Sequence, residues 1–301
     1  CKIRKEGNDG IMKRKSSIGD KIFVFINGLI MAGAVIIALY PLWYVLVASF
    51  SDPTAVSTGK VYFWIKGFTL ASYQKAFATP YVGSSYLNTI YYAVFGTVLS
   101  MMLTILGGYA LSKKRLHGRT FLMFFISFTM WFNAGMIPSY ITYRMLGLLD
   151  TRLGVLVNGI LNTFYVIMMR TAFESVPDSL EESMKLDGAT DFQVLFNCYI
   201  PLCVPTIMTL VLYYFVARWN TYLWPMIILK TETKVPLQVV LKKLVVEMSG
   251  LFDNSGDTDV SSLSKETVIY STMTIAVIPM LVMYPFIQKF FVKGVVVGAV
   301  K

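Results

Sequence analysis

Charge is what this chain has least of. Of its 301 residues only 15% are Asp, Glu, Lys or Arg, while 55% are hydrophobic, far from the roughly 25% charged of soluble domains. With a mean hydropathy of +0.60 and apolar residues in long unbroken runs, a soluble domain is excluded and a bilayer is implied. Histidine is almost missing. His117 stands alone, so no His-His zinc pair and no zincin motif can form, and its place in a basic turn beside Lys113, Lys114 and Arg115 suits a solvated loop residue better than a triad base. No Gly-x-x-x-x-Gly-Lys-Ser/Thr phosphate loop occurs. Cysteine is confined to Cys1, Cys198 and Cys203, the last two in or beside a segment assigned below to the cytoplasm, where thiols stay reduced and a disulfide framework is not expected. No catalytic or metal-binding constellation remains, and the chain is read as a non-enzyme. The apolar runs also lack carboxylates, which removes the usual coupling group of a proton- or sodium-driven transporter. Such a chain conducts passively or takes its energy from another subunit.

What is present is membrane-spanning sequence. A helix needs on the order of 20 apolar residues to cross about 30 Å of hydrocarbon. The segments that meet or approach this are Ile22 to Val47, Tyr86 to Leu111, Thr120 to Tyr143, Leu153 to Met169, Pro201 to about Leu229, and Val268 to about Val292. The fourth is short, with Arg152 and Arg170 placed to snorkel at its ends. Pro41, Pro138, Pro225, Pro279 and Pro285 are expected to kink helices rather than exclude them. Basic residues gather on one side, at Lys2 to Lys21, at Lys113 to Arg119 and at Lys289 to Lys301. By the positive-inside rule both termini are cytoplasmic. The net charge of +10 is therefore an orientation signal, not a nucleic-acid footprint. No cleavable signal peptide is expected, because the first run is long and lacks a small-residue cleavage site. The basic residues behind Cys1 argue against lipidation there, and Met12 is an alternative start.

Between the fourth and fifth spans lies a polar island in the cytoplasm. Ser175-Val-Pro-Asp178 offers an N-cap, a first-turn proline and an acid at the helix N-terminus, predicting a helix from about Pro177 to Leu186. Gly188 suits the left-handed position after it, and Thr190-Asp-Phe-Gln193 is a capping box opening a second helix toward Tyr199. Leu180 and Met184 share a face of the first helix, and Phe192, Leu195, Phe196 and Tyr199 give the second an apolar surface. On pattern alone the island also reads as an amphipathic re-entry into the bilayer.

The island resembles the coupling loop in membrane subunits of binding-protein-dependent ABC importers, whose pattern is Glu-Ala-Ala, three residues, Gly, nine residues, Ile-x-Leu-Pro. Glu182 takes the Glu position, Ser183 and Met184 replace the alanines, Gly188 and Pro201 match, and Cys198 and Ile200 replace Ile and Leu. Asp187-Gly188-Ala189 fits the carbohydrate branch. Gly135-Met-Ile-Pro138 with Leu146-Gly-Leu-Leu-Asp150, Arg218-Trp-Asn220 and the ending Phe291 to Lys301 are similar to the maltose-type subfamily, closest to the branch handling oligosaccharides from complex polysaccharides. The resemblance implies an all-α integral membrane permease with six transmembrane helices and a cytoplasmic helix-turn-helix coupling loop. Its parts would be a tail at 1–21, a permease domain at 22–293 with the coupling loop at 174–201 and an external loop at 230–267, and a tail at 294–301. It implies a heterodimer with a second permease subunit, two nucleotide-binding ATPase subunits and an extracytoplasmic solute-binding protein. This chain would carry no cofactor, with ATP and Mg bound by the ATPases. Glu182, Asp187, Gly188, Ala189 and Pro201 would couple to them, and a tail containing Gly294 and Gly298 would reach into the ATPase dimer. On composition alone that tail is a frayed terminus.

Sugars are held by amides, hydroxyls and aromatic faces. Arg218, Trp219, Asn220 and Tyr222 meet that description in the outer half of the fifth span, with Trp219-Asn220 resembling an aromatic-Asn pair that meets sugar in a related permease. Asn158 and Asn162 lie on one face of the fourth span and Asn133 in the third. For each Asn, interhelical hydrogen bonding is an equal alternative. Arg218 is placed to meet a uronate or to mark the membrane interface. The apolar stretch Pro236 to Val246, with Lys242 and Lys243 on its polar side, is expected to dock the solute-binding protein or lie on the membrane. The competing class is a passive channel whose cytoplasmic loop binds lipid or a regulator.

Overall fold

A computed structural model describes residues 18–78, 81–132, 134–248, 266–282 and 285. Two described helices are long and apolar enough to cross a bilayer unbroken, α1 (Ile18–Ser49) and α4 (Val82–Ser112). They are used differently. The side chains of α1 are exposed from Ile22 through Trp43, apart from a half-buried Gly33, and the helix is anchored at its far end, where Val47 and Ala48 meet Val56 and Val61. The short helices α2 (Pro53–Ser57) and α3 (Ala71–Ala78) lie in the loop that follows.

The bundle is organised around α4. Its buried stripe is small and polar (Ser85, Thr89, Ala93, Gly96, Ser100, Thr104, Gly108), while Leu87, Phe95, Val98, Met102 and Leu106 are exposed. In a membrane this inversion is the stable one. Large apolar side chains suit lipid, and small residues let neighbouring helices approach closely. At Gly108 a Cβ would lie 3.0 Å from Met169 Cβ. Two apolar clusters line this stripe. One joins Met101 to Met169, Phe173, Leu195, Tyr199 and Leu210, and the other joins Val82 and Tyr92 to Val155, Ile228, Leu237 and Val239.

The predicted third, fourth and fifth spans are each interrupted. The third is α5 (Arg119–Trp131) followed by α6 (Met136–Met145), the latter entered through Gly135 at φ +84°. The fourth is α7 (Arg152–Val157) and α8 (Thr163–Glu174). Asn158-Gly159 turns the chain with Gly159 at φ +59°, and Asn162 caps α8 by accepting from the Phe164 and Tyr165 amides at 3.0 and 3.4 Å. Asn158 and Asn162 therefore do not share a helix face, because the two asparagines are the residues that end one helix and start the next. After α8 comes the island, with α9 (Asp178–Leu186), α10 (Asp191–Val194), a π-helical turn (Leu195–Tyr199) and α11 (Ile200–Leu202). The last three form one rod that bends by 84° at Cys203 into α12 (Val204–Trp219). The fifth span ends as α13 (Leu223–Ile228) after a break at Asn220 to Tyr222. The stretch expected to be external forms α14 (Leu237–Met248), whose Leu237, Val239, Val240 and Leu241 are buried in the cluster with Val82 and Tyr92. One face of it is therefore part of the core, while Lys242 and Val245 stay exposed. The sixth segment is α15 (Glu266–Val282), and its predicted remainder, together with the 294–301 tail, lies outside the described residues.

Candidate functional site

The island folds largely as its local chemistry dictates. Ser175, expected to start the first helix, instead ends α8, its amide 3.2 Å from Thr171 O and its hydroxyl donating to Ala172 O at 2.7 Å. Pro177 takes the N-cap position, since proline there forfeits no helical hydrogen bond. Gly188 adopts φ +83°, and the chain reverses through Gly188 N–H to Lys185 O (3.0 Å) and Ala189 N–H to Met184 O (2.9 Å). The capping box is complete: Thr190 Oγ1 accepts from the Gln193 amide at 3.4 Å and Gln193 Oε1 accepts from the Thr190 amide at 2.8 Å. One surface of this hairpin is left open. Glu182, Asp187, Gly188 and Pro201 are exposed, as are the large apolar side chains Leu186, Phe192 and Phe196. Ala189 and Met184 pack instead onto the cluster around Met169 and Phe173.

The opposite surface is bound to the bundle by charge. Glu181 lies beneath it, accepting from Lys113 Nζ at 2.5 Å, Lys185 Nζ at 2.5 Å and the Tyr199 hydroxyl at 2.7 Å. Burial alone raises the pKa of this carboxyl, but the three hydrogen bonds outweigh it and hold the value at about 2. Lys113, at the end of α4, is buried, with its ammonium 4.1 and 3.9 Å from the ring centroids of Tyr109 and Tyr199, within cation–π range. Around this node Lys114 pairs with Asp178 (2.8 Å), Arg115 with Asp191 (2.6 Å), and both Arg119 and Arg170 with Glu174. The basic turn read from sequence as an orientation signal is thus also the counter-charge of the island. Asp178 and Glu181 are three apart on one face of α9, a spacing that carried this information.

The outer candidates divide. Asn158, Asn220 and Tyr222 line one cleft of about 460 Å³, with Gly135, Ser139 and Trp224. Arg218 and Trp219 are drawn into the bundle, while Asn162 stays exposed at the start of α8. Trp219 is only 1% exposed, and its Nε1 donates to Ala276 O at 3.0 Å. Arg218 donates to Val155 O at 3.1 Å and Ser100 Oγ at 3.3 Å, filling the space Gly96 leaves on α4. Asn162 spends its carbonyl oxygen on the cap of α8. Asn133, Gly294 and Gly298 lie outside the described residues. Away from the hairpin, Asp150 at φ +54° accepts from the Lys230 and Thr231 amides (3.1 and 3.0 Å) and the Thr231 hydroxyl (2.6 Å). These bonds, the Thr231 hydroxyl first, hold its carboxyl at about 2.

Residues 103–297 match the family described as binding-protein-dependent transport system inner membrane component. Over 279 residues, 92% of this chain and 97% of the relative, the sequence is 37% identical to the polygalacturonan/rhamnogalacturonan transport system permease protein YtcP of Bacillus subtilis (strain 168). It is 33% identical over 282 residues to protein LplC of the same organism, covering 93% of this chain and 95% of the relative. The fold is similar to that in the crystal structure of a bacterial ABC transporter involved in the import of the acidic polysaccharide alginate, with a TM-score of 0.85 and 40% identity over 92% of this chain and 99% of that one. With its broken-helix bundle and its hairpin exposing Glu182 and Gly188, the chain belongs to the binding-protein-dependent transport system inner membrane components.

Proposed function

We propose that this chain is the permease subunit of an ATP-driven importer of oligosaccharides derived from acidic polysaccharides, forming one half of the translocation pathway. Its partners would be a second permease, two ATPase subunits that bind ATP and Mg and perform all hydrolysis, and an extracytoplasmic solute-binding protein. Both termini would be cytoplasmic. The observation that carries this reading is the hairpin's division into two surfaces. One face is fixed to the bundle through Glu181 and its ion pairs, while Leu186, Phe192 and Phe196 stay exposed around Glu182 and Gly188. Exposed apolar side chains on a polar loop suit a protein groove, and an ATPase would supply one. The Gly294 and Gly298 tail would add a second contact with it. Asn158, Asn220 and Tyr222 would meet the sugar from their shared cleft. The acidic substrate class rests on the relatives, which handle polygalacturonan, rhamnogalacturonan and alginate.

Affinity purification of the tagged chain from its native membrane, with and without Gly188→Asp, tests this. The expected result is recovery of a second permease and a phosphate-loop ATPase, with the ATPase lost from the variant. A stable assembly of this chain alone, indifferent to the substitution, would refute it.

A further inference from the structure

We infer that Lys113 and Glu181 are positioning residues that make α9 and the cytoplasmic end of α4 one rigid body, so that force applied to the hairpin reaches the bundle instead of tilting α9 locally. This rests on the coupling role proposed above and names the device that would transmit it. Along the chain, α9 is joined to the bundle by poor levers. Before it stands the Ser175 to Pro177 link. After it come the left-handed turn at Gly188 and then the 84° bend at Cys203. The side-chain route is short and stiff by comparison. Glu181 gathers Lys113 from α4, Lys185 from its own helix and Tyr199 from the rod, and two rings enclose the ammonium. From Lys113 the path continues up α4, through the close approach of Gly108 to Met169 and the 2.8 Å bond between Thr104 and the Tyr214 hydroxyl of α12. A charged node enclosed in this way has few alternative arrangements and resists tilting.

The test is the sugar imported per ATP hydrolysed by the whole transporter in proteoliposomes, with its binding protein and a labelled alginate oligosaccharide. Lys113→Met removes the ammonium and keeps an unbranched, flexible side chain one atom shorter. It is expected to retain the ATPase subunits and continue hydrolysis, while import per ATP falls roughly tenfold, the scale of a lost coupling interaction. Lys113→Arg, which keeps a cation over both rings, restores the ratio. Tyr199→Phe, removing one hydroxyl, lowers it less and serves where Lys113→Met folds poorly. A purely structural role would lower both rates together, and an unchanged ratio in Lys113→Met and Tyr199→Phe overturns the inference. So does loss of the ATPases from Lys113→Met, which would make the node a docking element. A wild-type complex that holds no ATPase would instead remove the underlying coupling reading, and the inference with it.

Discussion

Replacing Glu181 by Gln tests the electrostatic argument directly. The carboxylate accepts three hydrogen bonds. The amide of Gln keeps one accepting oxygen and places a donor against an ammonium, leaving Lys113 buried with two aromatic faces and no anion. The native carboxyl is held at about 2 against an ordinary 4.5. At about 1.4 kcal/mol per unit this amounts to about 3 kcal/mol of preference for the charged form, reduced by solvent at the rim of the bundle to about 2 kcal/mol. Opening of the hairpin should become easier by that amount. Amides of α9 and of the Leu195–Tyr199 turn should then exchange roughly thirtyfold faster in hydrogen–deuterium exchange of the intact complex, with α1 unchanged. The sign with pH is fixed. A depressed carboxylate contributes stability that is fully present above its unfolded value and lost as pH falls through the folded one. The gap between wild type and variant should hold steady from neutral pH to about 4.5 and close toward about 2. Exchange within a factor of about three of wild type at neutral pH would refute the reasoning, as would acceleration spread evenly over the bundle.

Four other substitutions probe the rest of the fold. Gly154→Ala should sharply reduce folded yield and the unfolding midpoint, because a Cβ there would stand 2.3 Å from the backbone oxygen of Leu148, a clash that costs about 3 kcal/mol. A wild-type midpoint would contradict the close approach. Trp219→Phe, which gives up the bond to Ala276 O, should cost about 1 kcal/mol of stability and leave the sugar concentration for half-maximal import unchanged. Asn220→Ala, in the cleft, should raise that concentration roughly tenfold, and the reverse ranking would restore Trp219 as the sugar contact. Asp150→Asn should loosen residues 230–234, read as faster proteolysis of that stretch. In the wild type the same loosening should appear only as pH falls from about 3.8 toward about 2, the range over which this depressed carboxyl is protonated.

The island was the most legible part of the chain because its signals are local. A glycine required at φ > 0 and a Thr-x-x-Gln box act within a few residues, and both appear where they were expected. The first two spans were legible for the opposite reason, since nothing interrupts them. Ser175 misled because serine satisfies either end of a helix. Its position between two helices allowed both readings, and Pro177 decided the matter. The partners of Arg218 and Trp219 were not readable at all. They come from residues far away in sequence, Ser100, Val155 and Ala276, and only packing brings these together. Opposite charges in Lys113 to Arg119 and Glu174 to Asp191 could have been matched by sign and spacing. Orientation explained the first group so well that its second use stayed hidden.

The broken spans carry a stronger lesson, because hydropathy saw three apolar runs where the chain makes six shorter helices. Averaging over about 20 residues conceals an Asn-Gly pair or a single Gly-x-x-Pro. Yet irregular backbone at membrane depth leaves amides and carbonyls unpaired, which is tolerated only where protein or a water-filled cavity satisfies them. The interruptions here obey that rule. Gly135 in the third segment, Asn158 in the fourth, and Asn220 to Leu223 in the fifth all line the same cleft. Three unrelated stretches of sequence thus give up helical hydrogen bonds around one volume. Breaks that merely relieved local strain would have no reason to converge. If the chain carries sugar as proposed, their meeting at Asn158, Asn220 and Tyr222 is where a polar passage through the bundle would run. Under the proposed transport role, the turn residues that hydropathy overlooked would be the ones that line it.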